Sequence, residues 1–220
     1  AAAGGASLLS GLKNSAGGAL GLNAGDVISI SGSVGGTLIG GATLNVNAGT
    51  SLTDLANALQ AALRSVPDGD LTETVTVQSD GSLRVTSDGS NNIANLQMTV
   101  AGNTLFNNAL RFPSSIAGGG STGDSDGLRR SAQSTDNLVD LYDSTGTALG
   151  LQVGDDVTLV SASAKGAILS DVALLADITG ATTYADYRDA LRAALFTAAP
   201  AVGEDVVIQP SGALEITGAA

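Results

Sequence analysis

Apolar and polar residues alternate along several short stretches of this chain, and in two places the alternation gives way to a spacing of three and four. Val27-Ile-Ser-Ile-Ser-Gly-Ser33 and Asp156-Val-Thr-Leu-Val-Ser-Ala162 carry β-branched or leucine side chains at alternate positions, the period of a strand with one covered face. Thr43-Leu-Asn-Val-Asn47 follows the first of these across a glycine-rich turn, and part of Ile168–Ile178 is expected to answer it after the second. Leu52, Leu55, Leu59 and Leu63 then fall on one face of a helix, as do Tyr184, Tyr187, Leu191 and Leu195. Each helix is announced by a hydroxyl three residues before a carboxylate, Ser51 with Asp54 and Thr183 with Asp186, the pattern that satisfies the free N–H groups of a helix N-terminus. After each helix, Thr74–Asp88 and Asp205–Ala219 read as strand, glycine turn and strand, a hairpin. Asn95–Val100 is one further strand.

These elements come in the same order twice. The phrase ALGLNAGD at Ala19–Asp26 returns as ALGLQVGD at Ala148–Asp155, an offset of 129 (from 19 to 148) that becomes 132 at the helices and 131 at the hairpins. Upstream of each phrase, Asn14-Ser-Ala-Gly and Asp143-Ser-Thr-Gly read as turns, where a short polar side chain bonds the backbone and glycine accepts a positive φ. The expected fold is therefore mainly β with one helix per repeat (α+β): two related modules of antiparallel strands, sandwich- or barrel-like. The first module spans residues 1–100 and the second 136–220, with 101–135, which includes AGGGSTGDSD, as a connector of uncertain order. No equivalent of Asn95–Val100 appears before Ala220, so the second module is expected to be truncated at its C-terminal end.

Composition narrows the chemistry. Aromatic residues make up only 3% of the 220 residues, so the core must be built from Ala, Val, Leu and Ile. A formal charge of −12 repels nucleic-acid phosphates and anionic lipid heads, which argues against both as partners. The absence of cysteine excludes disulfides and thiolate zinc sites, and the absence of histidine excludes Ser-His-Asp and Cys-His catalysis. No apolar run reaches the roughly 18 to 20 residues that would span a bilayer. The first residues lack the basic and apolar parts of a signal peptide, and the one methionine is Met98, so an internal fragment of a longer chain is expected.

Several short patterns compete with structural explanations. Gly118, Gly120 and Gly123 satisfy G-x-G-x-x-G without a strand before and a helix after, and linker composition accounts for them better. Gly119–Gly123 spells a nucleophile elbow around Ser121, but the chain has no histidine to serve as base. Ser10 and Lys13 form S-x-x-K without the other motifs of penicillin-recognising enzymes. Asp124 with Asp126, and Asp68 with Asp70, have carboxylates suited to calcium, yet Asp-Gly pairs are common turns and neither loop pattern is complete. Tyr142, Tyr184 and Tyr187 could face a sugar, but two of them lie on the helix stripe and are expected in the core. The chain is thus expected to have no catalytic residues, no metal site and no cofactor.

Asn137–Leu159, NLVDLYDSTGTALGLQVGDDVTL, resembles the bacterial flagellar hook protein, as do the capped helix and the LRVTSD and LEITG hairpins. The resemblance covers both copies, outside the connector. It implies the outer, surface-facing domains of an extracellular structural subunit. That subunit would be exported unfolded and polymerised with copies of itself into the helical universal joint between motor and filament. The terminal helices that build the inner tube in that family are not in this sequence, so the fragment alone is expected to be monomeric. The alternative from another class is a secreted or cell-surface binding module, adhesin-like and calcium-dependent.

Overall fold

The structure, a computed structural model, describes residues 1–67, 72–87, 90–164, 167–196 and 205–218. It is mostly β with three α-helices, arranged in five small antiparallel sheets, and no closed barrel forms among the described residues, so the barrel alternative does not hold. The sheets are two to five strands wide, and the outermost strands of the widest do not pair with each other, so it stays open. Two compact units divide the chain: residues 2–130 with 144–146, and residues 131–143 and 147–220 with Ala1.

The first unit opens with a 3₁₀ turn at Leu9–Gly11 and runs through β1 (Leu12–Lys13), β2 (Val27–Val34), β3 (Thr37–Leu38), β4 (Ala42–Asn45) and helix α1 (Leu52–Arg64). It continues through β5 (Thr74–Val77), β6 (Leu83–Thr86), β7 (Ile93–Val100), α2 (Thr104–Asn107), β8 (Ser115–Ile116), β9 (Thr122–Asp124) and β10 (Arg129–Arg130). In the five-stranded sheet, β2 is flanked by β3 and β4 on one edge and by β7 on the other, and β8 closes the far side of β7. The β5–β6 hairpin takes β9 as its third strand, and β1 pairs with β10.

The sequence pattern accounts for α1. Ser51 Oγ accepts a hydrogen bond from Asp54 N, and Asp54 Oδ2 accepts one from Ser51 N at 2.8 Å, so both halves of the capping box are made. The leucines of the stripe, Leu52, Leu55, Leu59 and Leu63, are all wholly buried. Burying a side chain of that size stabilises by about 1.5–3 kcal/mol, so the stripe holds the helix on the sheets far more strongly than intrinsic helix propensity does. Gln60 Oε1 accepts from Val75 N, and Arg64 Nε donates to the Glu73 carbonyl, tying the end of α1 to β5.

Residues 101–130, expected as a connector, carry α2 and three strands. Phe106, Leu110, Ile116 and Leu128 from this stretch are buried in the same core as the α1 leucines. Its glycines and serines supply turns, while its few large apolar residues anchor on strands distant in sequence, a non-local pairing that periodicity does not reveal.

The second unit contains a 3₁₀ turn at Leu138–Asp140, β11 (Val157–Ala164), β12 (Ala167–Leu175), α3 (Tyr184–Leu195), β13 (Asp205–Ile208) and β14 (Leu214–Thr217). Among the described residues, β11 pairs only with β12, and β13 only with β14. The α3 capping box is complete: Asp186 N donates to Thr183 Oγ1, and Thr183 N to Asp186 Oδ2 at 2.8 Å. The core here is small. Leu138, Leu141, Ile178 and Tyr184 are buried, with Leu151, Val157, Leu175, Tyr187 and Leu214 only half-buried around them.

Candidate functional site

The paired carboxylates Asp124 and Asp126 are the acidic group best placed by the sequence to hold a cation, and the fold assigns each to an arginine instead. The β6–β9 register sets Arg84 opposite Asp124. Arg84 Nε donates to Asp124 Oδ1 at 2.7 Å and its Nη2 to Oδ2 at 2.6 Å, a bidentate pair that occupies both carboxylate oxygens. The bonds from Arg84 hold the Asp124 carboxyl below the usual carboxylate range. Arg111 Nε lies 3.3 Å from Asp126 Oδ2. The charges around this loop are thus balanced by guanidinium groups. No cluster of three or more potential metal ligands occurs among the described residues. Asp68 and Asp70 lie outside the described residues.

The glycine patterns resolve into packing. Gly118, Gly120 and Gly123 span the turn between β8 and β9, with Gly123 inside β9, and β10 rather than a helix follows. A Cβ on Gly118 would meet the Ser90 carbonyl at 2.6 Å, and one on Gly123 would meet the Ile116 side chain, so close approach is what requires glycine there. Ser121 donates its hydroxyl to the Gly118 carbonyl and accepts at its own carbonyl from Ser87 N. It therefore bridges a strand turn, in a setting unlike the strand-to-helix elbow. Ser10 is exposed on the 3₁₀ turn, and Lys13 sits on β1 opposite Arg129.

Two of the three tyrosines pack together. The Tyr184 and Tyr187 rings stack with centroids 6.4 Å apart and planes within 9°. Tyr184 is 8% exposed and donates its hydroxyl to the Gly212 carbonyl at 3.0 Å, holding α3 to the β13–β14 hairpin. Burial, with Tyr187 alongside, pushes the Tyr184 phenol up from its ordinary range. Tyr142 is half-buried and pairs with Ala148 across the Asp143 turn.

A groove of about 450 Å³ between β7 and residues 107–114 was not apparent from the sequence; its lining includes Gln97, Thr99, Asn107, Asn108, Arg111 and Phe112. Two of its carboxamides bond the backbone: Asn107 Oδ1 accepts from Val100 N at 2.7 Å, and Asn108 Nδ2 donates to the Thr104 carbonyl. No pattern in the sequence marks Glu73 either. It is 1% exposed, and its carboxylate oxygens have no hydrogen-bond partner among the described residues.

No family model, curated protein or solved structure matches this chain. No helix among the described residues is long and apolar enough to cross a membrane.

Proposed function

We propose that this chain forms the outer, surface-facing modules of a flagellar hook subunit. They are two copies of one unit produced by duplication, and their role is structural rather than catalytic. The observation that carries the duplication is a shared network of backbone hydrogen bonds at equivalent positions. In the first unit Leu9 N donates to Thr50 O, Leu52 N to Ser7 O and Thr53 N to Gly5 O, so that the opening segment is stitched to the N-terminus of α1. In the second, Leu138 N donates to Thr182 O, Tyr184 N to Asp136 O and Ala185 N to Ser134 O, each partner shifted by the sequence offset of 129 or 132. Gly25 N to Val46 O and Gly154 N to Ile178 O agree in the same way, as do Gln78 N to Ser82 O and Gln209 N to Ala213 O. Gly17 and Gly146, at matching places in the two turns, both take φ near +80°.

The hook assignment rests on the Asn137–Leu159 phrase, whose parts fall on these same elements. A repeated, capped and hydrogen-bonded scaffold with small side chains suits a subunit whose outer surface slides against neighbours as a helical joint bends. In this reading the partners are further copies of the same full-length subunit, the location is the extracellular flagellum, and the role is motility.

The test is peptide mass spectrometry on hooks purified from the source bacterium. The tryptic segment Ser131–Lys165 is expected as a dominant component. Its absence where other hook peptides are well covered overturns the assignment. A calcium-dependent rise in melting temperature would instead favour the binding-module alternative.

A further inference from the structure

Strand β11 pairs with β12 along one edge, and among the described residues no strand pairs with its other edge. It is eight residues long, VTLVSASA, and contains no Lys, Arg, Asp, Glu or Pro, the residues with which proteins ordinarily blunt an open edge. Val160 on this strand is 70% exposed, while Val157 and Leu159, on its other face, are half-buried. At the offset of 129 the latter two correspond to Ile28 and Ile30 of β2, which are 0% and 3% exposed.

What covers the corresponding edge is visible in the first unit. There β7 pairs antiparallel with β2, Ile28 opposite Val100 and Ile30 opposite Met98, and buries Ile93, Leu96, Met98 and Val100. The hairpins differ in the same sense: Val85 on β6 is wholly buried, whereas Ile216, its counterpart on β14 at an offset of 131, is 55% exposed.

We infer that β11 is an acceptor edge that binds an extended polypeptide segment from outside these 220 residues, adding it as an antiparallel strand in the way β7 adds to β2. The segment carries apolar side chains spaced as in β7 and is uncharged or basic. Charge sets that last requirement, because residues 131–220 hold 12 acidic and three basic side chains, a formal −9 of the chain's −12. Two such edges from two copies would bring like charge together, whereas a neutral or cationic strand meets no such repulsion. Backbone hydrogen bonds along the edge supply affinity, and the alternate apolar positions supply register. This inference rests on the duplication and is independent of the flagellar assignment.

The test uses the whole 220-residue chain and a synthetic peptide of residues 93–116, which carries β7, α2 and β8 and a single charge, that of Arg111. Amide hydrogen exchange is followed along β11, β14 and β2. With peptide at about ten times its Kd, the β11 amides directed away from β12 are expected to slow about tenfold by mass action. A peptide with Leu96→Lys and Met98→Lys is expected to give no slowing. The inference is overturned by unchanged β11 exchange at millimolar peptide, by slowing confined to β2 or β14, or by equal slowing from the lysine peptide. It is also overturned if sedimentation shows the chain alone dimerising with β11 already protected, which would make a second copy the occupant.

Discussion

Truncating two sequence-matched strand residues, Val85 and Ile216, should produce costs in the opposite order to their sizes. Val85→Ala removes two carbons from a wholly buried site. At about 0.8 kcal/mol per buried methylene this loses about 1.6 kcal/mol. Incomplete collapse of the small cavity adds about 0.5 kcal/mol, for a total of about 2 kcal/mol. Ile216→Ala removes three carbons, about 2.4 kcal/mol if fully buried. Ile216 is 55% exposed and leaves no enclosed cavity, which brings the expected loss to about 1 kcal/mol. Both substitutions forfeit a β-branched side chain in a strand, so the propensity term largely cancels between them. Because two units need not unfold together, a single denaturation midpoint is the wrong readout. Native-state hydrogen exchange in increasing urea, read separately at Leu83–Thr86 and Leu214–Thr217, gives the two values. A cost at Ile216 equal to or above that at Val85 would refute the reasoning: it would mean that the β14 face is covered and that the second unit has no exposed counterpart of the first unit's core.

Further outcomes are expected elsewhere. Asp124→Asn should lower the Tm of the first unit's own transition at pH 7 by no more than about 3 °C, since the ion pair with Arg84 is well exposed at both ends. Because Arg84 lowers the folded-state pKa of Asp124, the stabilisation is present above the ordinary carboxylate value and is lost as pH falls through the lowered one. The difference in Tm between wild type and Asp124→Asn should therefore shrink toward zero at strongly acidic pH, and a gap that persists there would count against the ion pair as its cause. Thr183→Ala should cost the first turn of α3 about 1 kcal/mol, read as faster exchange in that turn at neutral pH. Gly118→Ala, whose new Cβ would press on the Ser90 carbonyl, should cost about 2 kcal/mol. Gly40→Ala, with open space around the added carbon and no positive φ, should leave the first unit's own thermal transition nearly unchanged.

The features written in the order of residues alone are local ones. The capping boxes at Ser51 and Thr183 and the Asn14 and Asp143 turns need only residues a few positions apart, and each formed as its side-chain chemistry requires. The leucine stripe of α1 and the alternation of β2, β6 and β7 were legible for the same reason, since period alone says which face is covered. The three-dimensional arrangement decided the rest. Residues 101–130 look like linker because a few large apolar side chains among glycines have no period, and only pairing with β6 and β7 shows them to be core. Asp124 reads only as a turn residue in sequence, and it is the strand register that sets Arg84 against it across 40 residues of chain. Most of all, strands can share an alternating pattern whether or not anything lies against them, as β2 and β11 do. Alternation encodes which side chains face inward, but coverage depends on a neighbouring strand supplied from elsewhere, and that is why β2 is closed by β7 while β11, among the described residues, has β12 alone.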